Sequence, residues 1–250
     1  MARVLETRQL CKSFGALTVA DNIDFALEAG ARHALIGPNG AGKTTFVNML
    51  TGVLRPSAGR IFLAGEEVTR TNAAARVRRG LGRTFQITTL FRSLPVLDNV
   101  ALAVAEREGV APRMWRAASR YSALKEECMS LLATLGIADD AAAKVQDLPY
   151  GRQRLVEIAI ALGLKPRVLL LDEPAAGVPK QDSGRILEVL GALPADIAIL
   201  IIEHDMDLVF RFASRITVLV QGQVLVEGTP PEIAADARVR AVYLGEATHG

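Results

Sequence analysis

The residues best suited to chemistry lie in one short stretch, Gly37-Pro-Asn-Gly-Ala-Gly-Lys-Thr-Thr45, set between an apolar run (Ala34–Ile36) and a helix-like run (Phe46–Leu50). Glycine, four residues, then Gly-Lys-Ser/Thr is the spacing of a loop that wraps phosphate. Gly37, Gly40 and Gly42 let the backbone turn so that successive N–H groups point inward at phosphate oxygens. Pro38, Asn39 and Ala41 lie between them, Thr45 closes the motif, and the helix that follows adds the positive end of its dipole. Lys43 has the reach for β- and γ-phosphates, and the Thr44 hydroxyl is a ligand for Mg²⁺. The motif predicts a nucleotide site.

A second group of residues fits that chemistry. Val168-Leu-Leu-Leu-Asp-Glu-Pro174 is an apolar run ending in two adjacent carboxylates, expected on opposite sides of an extended chain. Asp172 is placed to hold a Mg²⁺ shell, and Glu173 to polarise an attacking water. An ordinary Asp-Glu-Pro turn is the plain alternative, and the phosphate loop in the same chain weighs against it. His204, in Ile202-Glu-His-Asp205, also follows an apolar run. A lone histidine is more often structural, but a second acid-tipped strand in such a protein makes His204 a candidate for phosphate chemistry.

These residues need a scaffold that ends several strands at one place. Ala34–Ile36, Val168–Leu171, Ile197–Ile202 and Ile216–Val220 read as strands alternating with helical stretches, which implies an α/β domain with a mostly parallel sheet. The unbroken apolar character of Val168–Leu171 fits a strand covered on both faces. Val4–Leu10, Ile23–Leu27 and Gly59–Leu63 read as short strands of an antiparallel flank. From about Leu90 to Leu164 the period changes: Val96–Arg107 and Ser122–Leu135 carry apolar residues three and four apart, as amphipathic helices do. Arg113–Arg120, with Met114 and Trp115 among basic residues, reads as an exposed helix with one packed aromatic, with a binding patch as the alternative.

Composition narrows the classes. The chain has 250 residues, half of them hydrophobic, enough for one substantial core with an inserted subdomain. With 29 Lys+Arg against 27 Asp+Glu the net charge is +2, too small for bulk attraction to nucleic acid. Cys11 and Cys128 suggest neither a disulfide framework nor a Cys-based zinc site. No run approaches the ~18 apolar residues of a membrane span, and Met-Ala-Arg-Val-Leu-Glu does not open like a signal peptide. The expected protein does not span a membrane by itself.

Taken with their order, these motifs resemble the ATP-binding cassette family, the motor subunits of ABC transporters, over nearly the whole chain. The resemblance implies a P-loop NTPase (RecA-like) α/β core with an antiparallel β flank and an inserted α-helical subdomain. Residues 1–250 would be a single cassette, with 1–89 and 165–250 as nucleotide-binding core and 90–164 as helical signature subdomain. It implies ATP and Mg²⁺ as cofactors and further site residues. Gln86 in Gly82-Arg-Thr-Phe-Gln-Ile looks like the glutamine that senses Mg²⁺ and γ-phosphate beside the membrane-subunit contact. Leu148-Pro-Tyr-Gly-Arg-Gln-Arg154 looks like the family signature, just before an apolar helix Leu155–Leu164, so Pro149, Tyr150, Gly151 and Arg152 would cover a second subunit's nucleotide. His204 looks like the switch histidine, and Phe14 is the candidate to stack on adenine, with a buried core phenylalanine as its alternative. Asp-Glu-Pro-Ala-Ala-Gly, Glu203-His-Asp-Met-Asp-Leu-Val209 and Val242-Tyr-Leu-Gly-Glu246 are similar to the branch that imports branched-chain and other hydrophobic amino acids.

The sequence departs from that pattern in three places. Pro149 replaces the signature serine and removes its hydroxyl; Arg152 replaces glutamine and offers a compensating charge; Pro179 stands where an aspartate is usual. The implied partners are integral membrane permease subunits, a second ATPase subunit (identical or related) and, indirectly, a periplasmic binding protein, with no nucleic acid. The implied location is peripheral, at the cytoplasmic face of the inner membrane. Ile87–Leu97 is the expected groove for a permease helix, or else a loop packed on its own domain. A chromosome-handling ATPase would need long heptad coiled coils between its motifs, and Thr45 to Leu148 is too short and irregular. A small-molecule kinase would lack the signature and switch histidine. A regulatory subunit that binds ATP without hydrolysis is suggested by Pro149 and Pro179 and opposed by Glu173 and His204.

Overall fold

The computed structural model describes residues 2–84, 90–109 and 118–246, apart from the side chains of 118–121, 180–182 and 244–246. In chain order its elements are β1 (Arg3–Phe14), β2 (Leu17–Glu28), β3 (Arg32–Ile36), α1 (Lys43–Thr51), β4 (Ala58–Leu63), β5 (Glu66–Glu67), α2 (Ala73–Arg78) and β6 (Leu81–Thr84). Then follow α3 (Val96–Arg107), α4 (Ala118–Thr134), α5 (Tyr150–Gly163), β7 (Val168–Asp172), α6 (Lys180–Gly191), β8 (Ala198–Ile202), α7 (Met206–Phe212), β9 (Arg215–Val220), β10 (Gln223–Gly228), α8 (Pro230–Ala235) and α9 (Ala237–Glu246). Among the described residues no helix is long and apolar enough to cross a membrane.

The chain divides into two compact units: Met1–Leu81 with Arg167–Glu173 and Pro194–Gly250, and Gly82–Pro166 with Pro174–Leu193. The first is a sheet unit. One sheet is antiparallel, in the order β2-β1-β4-β5; the other has β10-β9-β3-β8-β7 in this unit. In the second sheet β9, β3, β8 and β7 are mutually parallel neighbours, and β10 pairs antiparallel with β9. Every residue of β7 and β8 is buried, as their unbroken apolar runs require of strands covered on both faces. Helix α1 lies in this core: Phe46, Met49 and Leu50 cluster with Leu5, Leu27, Leu35, Ile61, Leu170 and Leu200.

The flanking strands are longer than the sequence suggests. β1 and β2 each run twelve residues because irregularities carry the pairing past polar positions. Their register shifts between Thr7 and Leu10, where Gln9 has a φ of 48° and its N–H donates to Asp24 Oδ1, and again between Leu10 and Lys12, across from Asn22 with a φ of 49°.

The second unit is helical. Helix α3 occupies the expected Val96–Arg107. It buries Val96, Val100 and Val104, while α5 buries Leu155, Val156, Ile158 and Leu162. Arg107 joins three helices: its guanidinium donates to Glu127 Oε2 of α4 at 2.7 Å and to the Gly163 carbonyl ending α5 at 2.6 Å. Arg113, Met114 and Trp115 lie outside the described residues.

Candidate functional site

The parallel register brings the candidate residues to one sheet edge. Leu35 of β3 and Asp172 of β7 both stand level with Ile202 of β8. The loop after β3, the acids after Leu171 and the histidine after Ile202 therefore all emerge at the carboxyl ends of three adjacent strands. That edge is where ligands bind in open parallel sheets.

The loop after β3 is locked to its surroundings. The Ala41 N–H donates to the Pro38 carbonyl at 3.1 Å, and the Gly222 N–H donates to the Ala41 carbonyl at 3.0 Å. Gly42 is the residue before α1, with φ 96°, and a Cβ there would lie 2.6 Å from the Val19 carbonyl oxygen. No other residue type fits without moving the backbone. Lys43 Nζ donates to the Gly37 and Pro38 carbonyls at 2.5 and 2.9 Å, holding its ammonium over the loop. Helix α1 has no side-chain cap and no acidic residue in its first turn. An anion placed there would meet the leading N–H groups of the helix and the positive end of its dipole. Asn39, Gly40 and Thr44 are exposed, and Thr45 is half-buried.

At the tips of β7 and β8, Asp172 is buried and Glu173 half-buried. The expectation that they alternate across an extended chain is not met. Asp172 ends the strand, and Glu173 has turned into the left-handed region, φ 49°, with its N–H on the Ile202 carbonyl at 2.9 Å. The turn directs Glu173 toward His204, whose Nδ1 lies 3.6 Å from Glu173 Oε1. His204 is held from both sides. Its N–H donates to buried Glu203 at 3.3 Å, and the next residue, Asp205, caps α7 by accepting from the Asp207 and Leu208 N–H groups. Its own side chain stays 69% exposed. Among the described residues no cluster of three His, Cys, Asp or Glu could hold a metal unaided. Thr44 and Asp172 suit Mg²⁺, which takes few protein ligands and completes its shell with phosphate oxygens and water.

In the helical unit, α5 starts at Tyr150 with Pro149 before it, not at Leu155 as expected. Tyr150, Gly151 and Arg152 thus form the first turn of a helix with no side-chain cap. Pro149 needs no N–H there, and its carbonyl accepts from the Arg152 and Gln153 N–H groups at 3.0 and 3.1 Å. The Arg152 guanidinium, partly exposed, is paired through Nη1 with Asp140. The Tyr150 ring lies against the Arg154 guanidinium, 5.0 Å from its centroid, and a Cβ on Gly177 would meet that ring at 3.1 Å.

Residues 20–176 match the family model described as ABC transporter. The chain belongs to the ABC transporter family. Residues 223–249 of this ABC chain match a second model, the branched-chain amino acid ATP-binding cassette transporter. It is 35% identical, over 98% of both chains, to the high-affinity branched-chain amino acid transport ATP-binding protein LivG of Escherichia coli K12. It is 34% identical, over the same shares, to BraF of Pseudomonas aeruginosa, described in the same terms. Among solved structures it resembles the ADP conformation of an ATP-binding cassette of an ABC transporter, with TM-score 0.85, 27% identity, and 98% of this chain and all of that one covered.

For the remaining candidates of this ABC chain the outcome is mixed. Gln86 lies outside the described residues, as do Ile87–Thr89. Phe14 is 51% exposed, which removes the core-phenylalanine alternative, and Lys12 Nζ sits 4.9 Å from its ring centroid. Pro179 is the residue before α6. Sequence reasoning missed Glu203 and Asp205, which steady His204, although both stand beside it in the motif. It also missed Arg76, for which no local pattern gives a signal.

Proposed function

We propose that this chain is the ATP-hydrolysing subunit of an importer for branched-chain amino acids or related small molecules. In this reading it works as one of two cassettes, identical or related, against permease subunits at the cytoplasmic face of the inner membrane, with a periplasmic binding protein delivering cargo. The observation that carries it is the meeting of an uncapped phosphate cradle, a buried acid and the Glu173–His204 pair at one sheet edge. The relatives' names and the match at residues 223–249 support the cargo class.

In the mechanism, Lys43 exchanges two neutral carbonyls for charged phosphate oxygens, a stronger class of hydrogen bond. The N–H groups opening α1 hold the phosphates from behind. Thr44 and Asp172 would hold Mg²⁺, which would supply charge against the phosphates. Glu173 accepts a hydrogen bond from water and withdraws its proton as the oxygen attacks, and His204 keeps that carboxylate aimed. Gln86 stays proposed as the sensor between metal and permease. Toward the membrane, Phe91 and Leu94 expose apolar surface on a loop fixed from beneath by Asn99, which supports a docking groove for a permease helix.

Glu173→Gln is expected to keep nucleotide affinity and lower turnover about a hundredfold or more. Equal hydrolysis by this variant and the parent overturns the catalytic assignment. A second reading, an ATP-binding regulatory subunit, is favoured by Pro149 and by the Arg152–Asp140 pair. Steady-state ATPase with and without permease subunits separates the two, since the motor reading requires turnover by the parent. Cargo such as urea, an amide, an aromatic acid or a lipid is distinguished by the ligand of the partner binding protein.

A further inference from the structure

The least expected residue in the sheet unit is Arg76 of α2, which is 1% exposed. A guanidinium so buried ordinarily faces a carboxylate. Among the described residues Arg76 faces none: its five N–H groups meet five uncharged oxygens. Nη1 donates to the Met49 and Leu50 carbonyls at 2.5 and 2.6 Å, and Nη2 to the Val68 and Thr69 carbonyls at 2.7 and 3.2 Å. Nε donates to Thr71 Oγ1 at 3.3 Å. Burial lowers its pKa to about 10, so the cation persists at neutral pH.

Met49 and Leu50 belong to the last turn of α1, whose first turn carries Lys43 and Thr44. Arg76 therefore binds the carbonyl end of the helix that presents the phosphate cradle, and ties that end to the strand-to-helix segment Val68–Thr71. The rest of the turn is built around it. Thr51 Oγ1 donates to the Val47 and Asn48 carbonyls, and Gly52, with φ 77°, ends the helix where a Cβ would come within 3.0 Å of Arg76 Nε. A cation at a helix C-terminus meets the negative end of the dipole. Here it also sits at the far end of a nine-residue helix from the phosphates, inside the same low-dielectric core.

We infer that Arg76 is a positioning residue for nucleotide binding: acting through α1, it fixes the seat of the phosphate cradle and adds a buried positive charge behind it. This inference rests on the reading of the loop at 37–45 as a nucleotide site, and it assigns Arg76 no contact with nucleotide. Because both ground state and transition state use the cradle, its loss weakens binding and spares the chemical step.

The test compares Arg76→Lys and Arg76→Met with the parent in the full chain, using Mg·ADP and a nonhydrolysable ATP analogue as probes. Arg76→Lys keeps the charge and loses the fork; Arg76→Met loses both. Below the melting temperature of each variant, the expected dissociation constants rise about threefold or more for Arg76→Lys and tenfold or more for Arg76→Met, while turnover at saturating ATP stays within twofold. A purely structural arginine would lower melting temperatures and leave the affinity of the folded protein unchanged. Parental affinity in folded Arg76→Lys overturns the inference, even should Arg76→Met fail to fold. A parent that binds neither probe overturns the nucleotide reading itself.

Discussion

At the residue scale the side chain proposed to activate water is Glu173, and its backbone is strained. A non-glycine residue at φ 49° is strained by about 1–2 kcal/mol. Such strain persists because the turn re-aims the carboxylate from the strand tip toward His204. Strand alternation could not foretell this, since the rule ends where the strand ends. Glu173→Gly should therefore hold or raise the unfolding free energy, by up to about 1 kcal/mol, while Glu173→Ala, which keeps a Cβ in the same conformation, gains nothing. Both should lose turnover. Chemical denaturation of the three proteins checks the ordering, and a glycine variant clearly less stable than the alanine one would refute the strain argument. Arg152 carries a second lesson: its replacement of glutamine reads as a compensating charge, and the structure adds that Asp140, twelve residues upstream, pairs with it. Sequence distance hid that partner.

At the scale of elements, apolar runs located β7, β8 and β9 to within a residue or two, because a strand covered on both faces has no polar positions to confuse its ends. The start of α5 was less legible. Tyr150, Gly151 and Arg152 lack an apolar period, and the helix is set there by Pro149 and by Gln153 Nε2 donating to the Leu148 carbonyl at 2.8 Å. The loop before α3 is fixed by a device no periodicity reveals. Buried Asn99 accepts from the Phe91 N–H at 2.9 Å and donates to the Phe91 and Pro95 carbonyls at 3.1 and 3.0 Å. Those bonds hold Phe91 and Leu94 outward. Asn99→Ala should destabilise the chain by about 1–3 kcal/mol, the cost of orphaning buried backbone groups. It should also reduce stimulation of turnover by permease subunits more than turnover of the chain alone. Comparable losses in both assays would mean that this loop does not serve the membrane contact.

At the scale of the whole molecule, the motifs announced a parallel core, an antiparallel flank and a helical region, since each has its own hydrophobic period. Buried polar groups stayed hidden, because their partners are remote in sequence: Arg76 finds Met49, and His33 finds Thr217. The latter gives the protein a pH dependence with a definite sign. His33 in β3 is 1% exposed, edge-on to Phe25 at 5.1 Å between centroids. Its Nε2 lies 2.8 Å from Thr217 Oγ1, and that hydroxyl donates to Glu227 Oε2 at 2.9 Å, so Nε2 carries the proton of a neutral ring. Burial lowers the His33 pKa to about 4, opposed by the Glu227 carboxylate and aided by the Arg215 guanidinium. The unfolded chain, with an ordinary value near 6.5, takes up the proton first as pH falls. Stability contributed by the neutral ring is therefore complete above about pH 6.5, declines as pH drops toward 4, and changes no further below that. Between pH 7 and 4.5 the unfolding free energy should fall by roughly 2–3 kcal/mol from this group. In His33→Gln, urea titrations over the same interval should give a nearly level profile from a lower starting stability. A parent profile as level as that of the variant would mean that His33 is already solvated and charged in the folded protein, contrary to its packing against Phe25.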